Sequence, residues 1–546
     1  MEDISNNNNN NDHIRNTKDD SVLIEQHPLN NNNTLISIDT NRFNLNKHAP
    51  PVISPSSPYN ETLLDNIISN GSCTKYPIYI ALCVFSGFIS DGIEMTLMVL
   101  FIIPLKAYFN LSDLQIQALS ASLFFGVAIG SLSSGYLTKQ IGRTCSLKYS
   151  YFVLFISHLM MAISLNVGMF LIFRLFIGIA LGIIVPVSLN LYSEYLPIKV
   201  RGFFLLFTWS FFNIGLVLSA VIMYWNMPHL EMSMLRTVFT LLTLFPLISL
   251  VINLALLNDS PRSLILNNKY DEAFMLLTSM NHGKPLSEDQ KRLIISNITT
   301  QANDNTVGDI KELFQKKYLL STILCISLFF IAACTYYGLY TISTLTVQEM
   351  NATEEEVDNK RIVKSQIAIA CVCLFAYVIG GLMAEIPQLG RKGVIWIWAL
   401  LNAIFIVPAT YFPKLYTLFF AIAMLSNNIW VNVLITYIVE IFPTKLRDTS
   451  SGFLLMTFRV SCFVSQFLYL GLFEVHFRVV YYLSCVMLVI AIGLTLVLPF
   501  ESVNMPLDLH YVEEKPFFMP VDNKEEEDED DGIKEKYTVD DNNVLI

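Results

Sequence analysis

The chain has 546 residues, of which 53% are apolar and 15% charged, with a mean hydropathy of +0.49 and a formal net charge of −11. A soluble globular protein carries about a quarter charged residues, so this composition excludes an ordinary soluble fold and points to a membrane protein. The acidity is local: residues 501–546 hold fifteen acids against four lysines, which accounts for the whole −11 and leaves the rest neutral.

Residues 1–76 are polar and Asn-rich ("NNNNNND", "NNNNT") and read as a disordered cytosolic tail with no secretory signal peptide. Twelve apolar stretches follow between 77 and 500, each long enough for the ~20 residues a helix needs to cross a bilayer. They lie at 78–103, 117–137, 146–165, 168–193, 203–224, 235–257, 318–346, 363–385, 393–412, 414–438, 450–472 and 478–499. The first six make an N-terminal half, 77–257, and the last six a C-terminal half, 318–500. The polar segment between them, 258–317, reads as a cytosolic linker with short helices such as "YDEAFMLLTSM". Residues 501–546 read as an acidic disordered tail. The predicted fold class is an all-α membrane protein with twelve transmembrane helices in two six-helix pseudo-repeats.

Lysine and arginine decide direction. The loops on one side hold Lys139, Arg143, Lys148, Lys199, Arg201, Arg391, Lys392, Lys445 and Arg447, besides the linker's own bases. The other side is poorer and less evenly supplied, so both termini and the linker are expected in the cytosol.

Two hairpins on that side repeat. "YSEYLPIKVRG" puts Glu194, Pro197, Lys199 and Arg201 between spans 4 and 5. "YIVEIFPTKLRD" puts Glu440, Pro443, Lys445 and Arg447 between spans 10 and 11, each 246 residues on (194 to 440, 201 to 447). Proline cannot continue a helix interior, so the chain turns there. One copy alone reads as a solvated turn with snorkelling bases. A second duplicated signal agrees: "GYLTKQIGRT" after span 2 and "GGLMAEIPQLGRKG" after span 8, with Arg143 and Arg391 248 apart. Parallel halves with matching cytosolic gates describe an alternating-access carrier.

These residues resemble the major facilitator superfamily, over essentially all of 77–502. The Gly-Arg loops look like its loop motif and the Glu/Arg hairpins like its cytosolic charge network, which implies gating roles for Arg143, Glu194, Arg201, Arg391, Glu440 and Arg447. "DSPRSLILNNKYDEA" (259–273) is similar to the Ser-Pro-Arg motif of sugar-porter-like members, and "LPFES" (498–502) resembles their ending after the last span. "SDGIEMTLM" (90–98), "TYYGLYTIST" (335–344) and "MTFRVSCFVSQF" (456–467) look like the synaptic-vesicle-glycoprotein-related, organic-ion and nicotinate transporter branch. The chain departs from the family at Lys139, where the first Gly-Arg loop usually carries an acid three residues before the glycine. In the second half Glu385 is the equivalent acid.

Ionisable groups inside spans cost about 2.5–3.5 kcal/mol each and are functional candidates by default. Asp91 and Glu94, three residues apart in span 1, are expected on one helical face as substrate-binding or proton-coupling acids. Their alternative is a structural pairing with Arg174 or another base, and the alternative for Arg459 is a resting partner such as Asp91 or Glu94. For Arg174 itself the resemblance implies gating or packing rather than substrate contact. Arg459 in span 11 is the informative one: the same stretch in organic-ion carriers lines the central cavity, and a base there goes with anion handling. A buried guanidinium suits a carboxylate. Tyr336, Tyr337 and Tyr340 offer hydroxyls and ring faces to a small aromatic acid, or else serve as interfacial anchors, the reading preferred for Trp396 and Trp398. His158 in span 3 reads as a satisfied buried side chain, with proton carriage as the alternative.

Both tails carry Asp-x-x-x-Leu-Ile, at Asp19–Ile24 and Asp541–Ile546, resembling the acidic dileucine signal read by clathrin adaptors. That favours an endosomal, lysosomal or vacuolar membrane, with the plasma membrane as alternative. Asn110-Leu-Ser and Asn351-Ala-Thr are glycosylation acceptors on the non-cytosolic side. No Walker loop, nucleophile motif or zinc-spaced cysteine set occurs, so an enzyme, an ATP-driven pump, a metal, a cofactor and a nucleic-acid partner are not expected. The sequence thus reads as a secondary transporter of a small organic solute, organic anion favoured and proton coupling hypothesised. The alternatives are a sugar or organic-cation carrier, and a non-transporting receptor or scaffold of the same fold.

Overall fold

A computed structural model describes residues 75–196, 198–226, 232–304, 310–350, 359–384, 386, 388–442 and 444–498, together with Leu64, Ile67 and Ile68. Both tails with their dileucine segments, Asn351 of the second sequon, and Glu385 lie outside the described residues. Among the described residues helix is the regular structure and there is no strand. The bilayer imposes this, since a crossing segment must satisfy its own backbone groups.

The first six spans are α1 (Lys75–Phe109), α2 (Asp113–Ile141), α3 (Arg143–Ala162), α4 (Val167–Ser193), α5 (Ile198–Asn226) and α6 (Met232–Leu256). Three short helices follow, α7 (Pro261–Leu266), α8 (Tyr270–Met280) and α9 (Glu288–Asp304). The seventh span is α10 (Leu319–Ala333), a π-helical turn (Cys334–Gly338) and α11 (Leu339–Met350). The eighth is α12 (Asn359–Cys373) and α13 (Ala376–Ala384), and the last four are α14 (Gly390–Ile406), α15 (Tyr416–Ile441), α16 (Thr444–Val475) and α17 (Phe477–Val497).

All twelve expected spans are present. The ends differ: α1 runs on through Pro104 and Lys106 to Phe109, and α16 begins at Thr444, ahead of its apolar run. Hydropathy marks only the hydrocarbon-embedded stretch, whereas the helix backbone continues into the interface. Polar caps set several starts. Ser112 accepts from the Gln115 amide in a capping box before α2, and Asn166 caps α4. In the Ser-Pro-Arg stretch Ser260 accepts from the Ser263 amide and Pro261 is the first residue of α7, where a missing N–H costs nothing.

The pseudo-repeat shows in which spans touch. In the first set span 1 packs on 5, 2 on 4 and 3 on 6, and in the second the corresponding pairs recur, 7 on 11, 8 on 10 and 9 on 12. The two sets meet through α2 against α16, α5 against α12 and α1 against α11. Glycine permits the tightest crossing near the site: a Cβ on Gly92 of α1 would stand 2.0 Å from the Phe212 carbonyl oxygen of α5. The same device joins α4 to α2, where a Cβ on Gly178 would stand 2.3 Å from the Leu123 carbonyl oxygen.

Candidate functional site

The charged residues of the spans converge in the middle of the bundle. Glu94 is fully buried on α1, with His158 Nε2 of α3 2.9 Å from its Oε1 and Arg174 of α4 donating to its Oε2 at 3.1 Å. One carboxylate therefore ties three helices of the first set together. Asp91, one turn earlier, turns towards the second set. It lies within electrostatic range of Arg459 on α16, with no ion pair inside 4 Å between them, and its Oδ2 has no hydrogen-bond partner among the described residues. The two acids share a face of α1 but have different partners, because the Gly92 crossing with α5 holds α1 at the seam between the sets.

Arg459 is 7% exposed, lies against the Tyr337 hydroxyl, and has its guanidinium carbon 5.8 Å from the Phe458 ring centroid. Its Nη1 is buried and unpartnered among the described residues. Tyr336 and Tyr337 sit in the π-helical turn and Tyr340 in the first turn of α11, all three buried in mid-span. That depth removes the interfacial-anchor reading. Tyr340 lies 3.4 Å from the Thr96 hydroxyl, hydroxyl to hydroxyl across the sets.

Two cavities meet at Tyr337. The first is lined by Met98, Phe124, Arg174, Tyr337, Tyr340 and Gln466, among others. The second lies on the side nearer the α7–α9 end, with Trp209, Phe212, Tyr336, Tyr337, Tyr377, Asn428, Asn432 and Phe458 in its wall. Arg174, expected to gate or pack, therefore also faces a cavity.

Sequence reasoning on charges passed over the second cavity's neutral wall. The signal was legible: "SNNIWVN" (426–432) sets four amide or hydroxyl side chains inside an apolar span. There the Tyr377 hydroxyl donates to Asn428 Oδ1 at 3.1 Å, and Asn427 Oδ1 accepts from Thr335 at 3.2 Å and from the Trp430 indole at 2.6 Å.

At the α7–α9 end, Arg143 and Glu194 form an ion pair between the start of α3 and the end of α4. Arg201 donates to the Leu196 carbonyl at 3.4 Å, Lys139 is exposed, and Arg391 is half-buried in the first turn of α14. Glu440 lies in the last turn of α15 and Arg447 in the first turn of α16, but their side chains, with Pro197 and Pro443, lie outside the described residues. At the opposite end Gln117 of α2 donates to Glu474 of α16 at 3.0 Å, and Asn110 stands exposed in the turn before α2. His158, set aside as a satisfied side chain, proves to be a partner of Glu94.

Twelve spanning helices in two repeated sets of six around shared central cavities define a membrane transporter of the major facilitator fold. The chain belongs to the sugar (and other) transporter family, whose model matches residues 52–512. It is a multi-pass transporter of sugars or other organic solutes. It is 24% identical to organic cation/carnitine transporter 7 of Arabidopsis thaliana, over 69% of this chain and 82% of that one. It is 23% identical to the niacin transporter NiaP of Acinetobacter baylyi, over 60% and 72%. Among solved structures, the inward-open xylose transporter XylE of E. coli superposes with a TM-score of 0.66 at 18% identity, over 79% of this chain and 98% of that one.

Proposed function

We propose that the protein carries a small organic anion across its membrane by alternating access, with the substrate carboxylate on Arg459. The observation that carries this reading is the unpartnered, buried Nη1 of Arg459 at the seam between the two sets of helices. A guanidinium there is costly unless something negative meets it, and a carboxylate matches its fork.

Charge balance supports proton coupling. The acids Asp91 and Glu94 balance the bases Arg174 and Arg459 when all four are ionised. A carboxylate entering this low-dielectric cluster adds an uncompensated negative charge, and a proton taken up at Asp91 or at the Glu94 cluster restores neutrality. The gating residues Arg143, Glu194, Arg201, Glu385, Arg391, Glu440 and Arg447 close the cytosolic end in this reading. The tail segments Asp19–Ile24 and Asp541–Ile546 direct the protein to an endolysosomal or vacuolar membrane through clathrin adaptors.

A second reading, an organic-cation carrier, is favoured by the unpartnered Oδ2 of Asp91 and by the name of the Arabidopsis relative. Uptake into proteoliposomes separates the two. Labelled nicotinate, short monocarboxylates, hexoses and quaternary amines are offered with and without an acid-outside gradient, to the wild type, Arg459→Ala and Asp91→Asn. Carboxylate flux lost in Arg459→Ala supports the anion reading. Amine or hexose flux indifferent to Arg459→Ala removes it.

A further inference from the structure

Resting on the anion reading, we infer that Asn427 is a positioning residue for the anion site. It holds the π turn of the seventh span in the place from which Tyr337 orients the Arg459 guanidinium. The contacts run without a gap. Arg459 lies against the Tyr337 hydroxyl. Tyr337 belongs to the turn Cys334–Gly338, and Thr335 of the same turn has its hydroxyl 3.2 Å from Asn427 Oδ1 on α15. The Trp430 indole nitrogen stands 2.6 Å from that same oxygen. Thr335, Asn427 and Trp430 are fully buried, and none of the three is among the described residues lining the two cavities. Asn427 therefore acts on a carboxylate through Tyr337 and Arg459, without touching it.

The hydrogens give this tether a fixed direction. An indole N–H can only donate, so the Asn427 atom it meets is the amide oxygen. The Thr335 hydroxyl, facing the same oxygen, is a donor as well. Its proton has rival acceptors inside its own helix, the Ile331 carbonyl at 2.9 Å and the Ala332 carbonyl at 3.4 Å. The bond to Asn427 is the one that leaves the helix and ties the seventh span to the tenth. Where water does not reach, a neutral hydrogen bond holds more firmly than in solvent. π-helical turns are rare and short, and a second contact holds this one: a Cβ on Gly338 would stand 2.8 Å from Tyr469 Cγ of α16. The turn is thus held from α15 and from α16, the helix that carries Arg459. A guanidinium fork meets a carboxylate productively only within about 0.5 Å of its best placement, so a small displacement of the turn reaches the anion.

The test is ligand-dependent thermal stabilisation of the full-length protein in detergent, converted to Kd, with nicotinate and propionate as probes. Asn427→Leu removes the acceptor but strands the Trp430 N–H, so the tether is also cut from its other end. Thr335→Val keeps the shape and loses the hydroxyl, and Thr335→Ser keeps the hydroxyl. Thr335→Val should weaken the carboxylate that the wild type binds by about two- to tenfold. Thr335→Ser should bind as the wild type does. Tyr337→Phe should weaken binding too, and adding Thr335→Val to it should cost little more, because both changes act through the Tyr337 hydroxyl. Wild-type affinity in Thr335→Val overturns the positioning role. Equal losses in Thr335→Val and Thr335→Ser, or fully additive losses in the double variant, overturn it as well, since packing alone would give them. In each of these cases binding that is lost in Arg459→Ala leaves the anion reading standing. Binding indifferent to Arg459→Ala, or no stabilisation by either carboxylate, overturns both.

Discussion

Glu94 and Arg174 form a buried ion pair, 3.1 Å apart, between the first and fourth spans, and His158 stands 2.9 Å from the other oxygen of the same carboxylate. Neither Glu94 nor Arg174 has appreciable contact with solvent, so each group's charge is tolerated through its partner.

Removing one member should therefore cost more than removing both. Glu94→Gln or Arg174→Gln alone is expected to destabilise by about 3–5 kcal/mol, while the double variant should lose much less than the sum. Thermal unfolding of the four proteins in one detergent closes the cycle. Additive losses would show that the pair is not coupled.

Arg459 gives a graded expectation. Arg459→Ala should abolish carboxylate uptake, and Arg459→Lys should retain a small part of it, because an ammonium keeps the charge but loses the bidentate fork. Both proteins should assemble and run as the wild type on size exclusion. Wild-type flux in the alanine variant would remove the residue from the binding site.

The pH dependence follows in sign from the neutral cluster. Loading an anion favours the state that holds one more proton, so uptake should rise as the pH on the entry side falls. Asp91→Asn, which mimics the protonated acid, should flatten that rise if Asp91 is the acceptor. Glu94→Gln should flatten it if the Glu94 cluster is. Initial rates between pH 5 and 8 with a proton-sensitive dye inside the vesicles check both. A profile unchanged in each variant would refute coupling through either acid.

The Gly92 crossing predicts a packing defect. A methyl group on Gly92 would meet the Phe212 carbonyl oxygen at 2.0 Å, so Gly92→Ala must push α5 away from α1. The expected loss is about 1–3 kcal/mol, together with lower uptake, because Asp91 next door loses its placement. Gly493→Ala on α17, where a Cβ meets nothing within 4 Å, is the control and should behave as wild type. Equal behaviour of the two variants would sink the argument.

The sequence by itself determined the number of spans, their grouping and the class of protein. Apolar runs of membrane length have one way to satisfy their backbone, and hairpins duplicated 246 residues apart reveal the two halves. It also supplied the buried charges, because an ionisable residue inside an apolar run is conspicuous whatever surrounds it. It could not assign their partners. Asp91 and Glu94 look equivalent on a helical wheel, yet one belongs to His158 and Arg174 and the other faces Arg459, across distances of 80 and 368 positions in the chain. Nor could it bring Trp209, Tyr377 and Asn428 into one wall, since each is ordinary in its own span and they meet only when spans 5, 8 and 10 close around a cavity. Periodicity and hydropathy are properties of one helix at a time. Pairing, depth and the shape of a cavity arise where helices cross, and here glycines such as Gly92 and Gly178 allow the close approach.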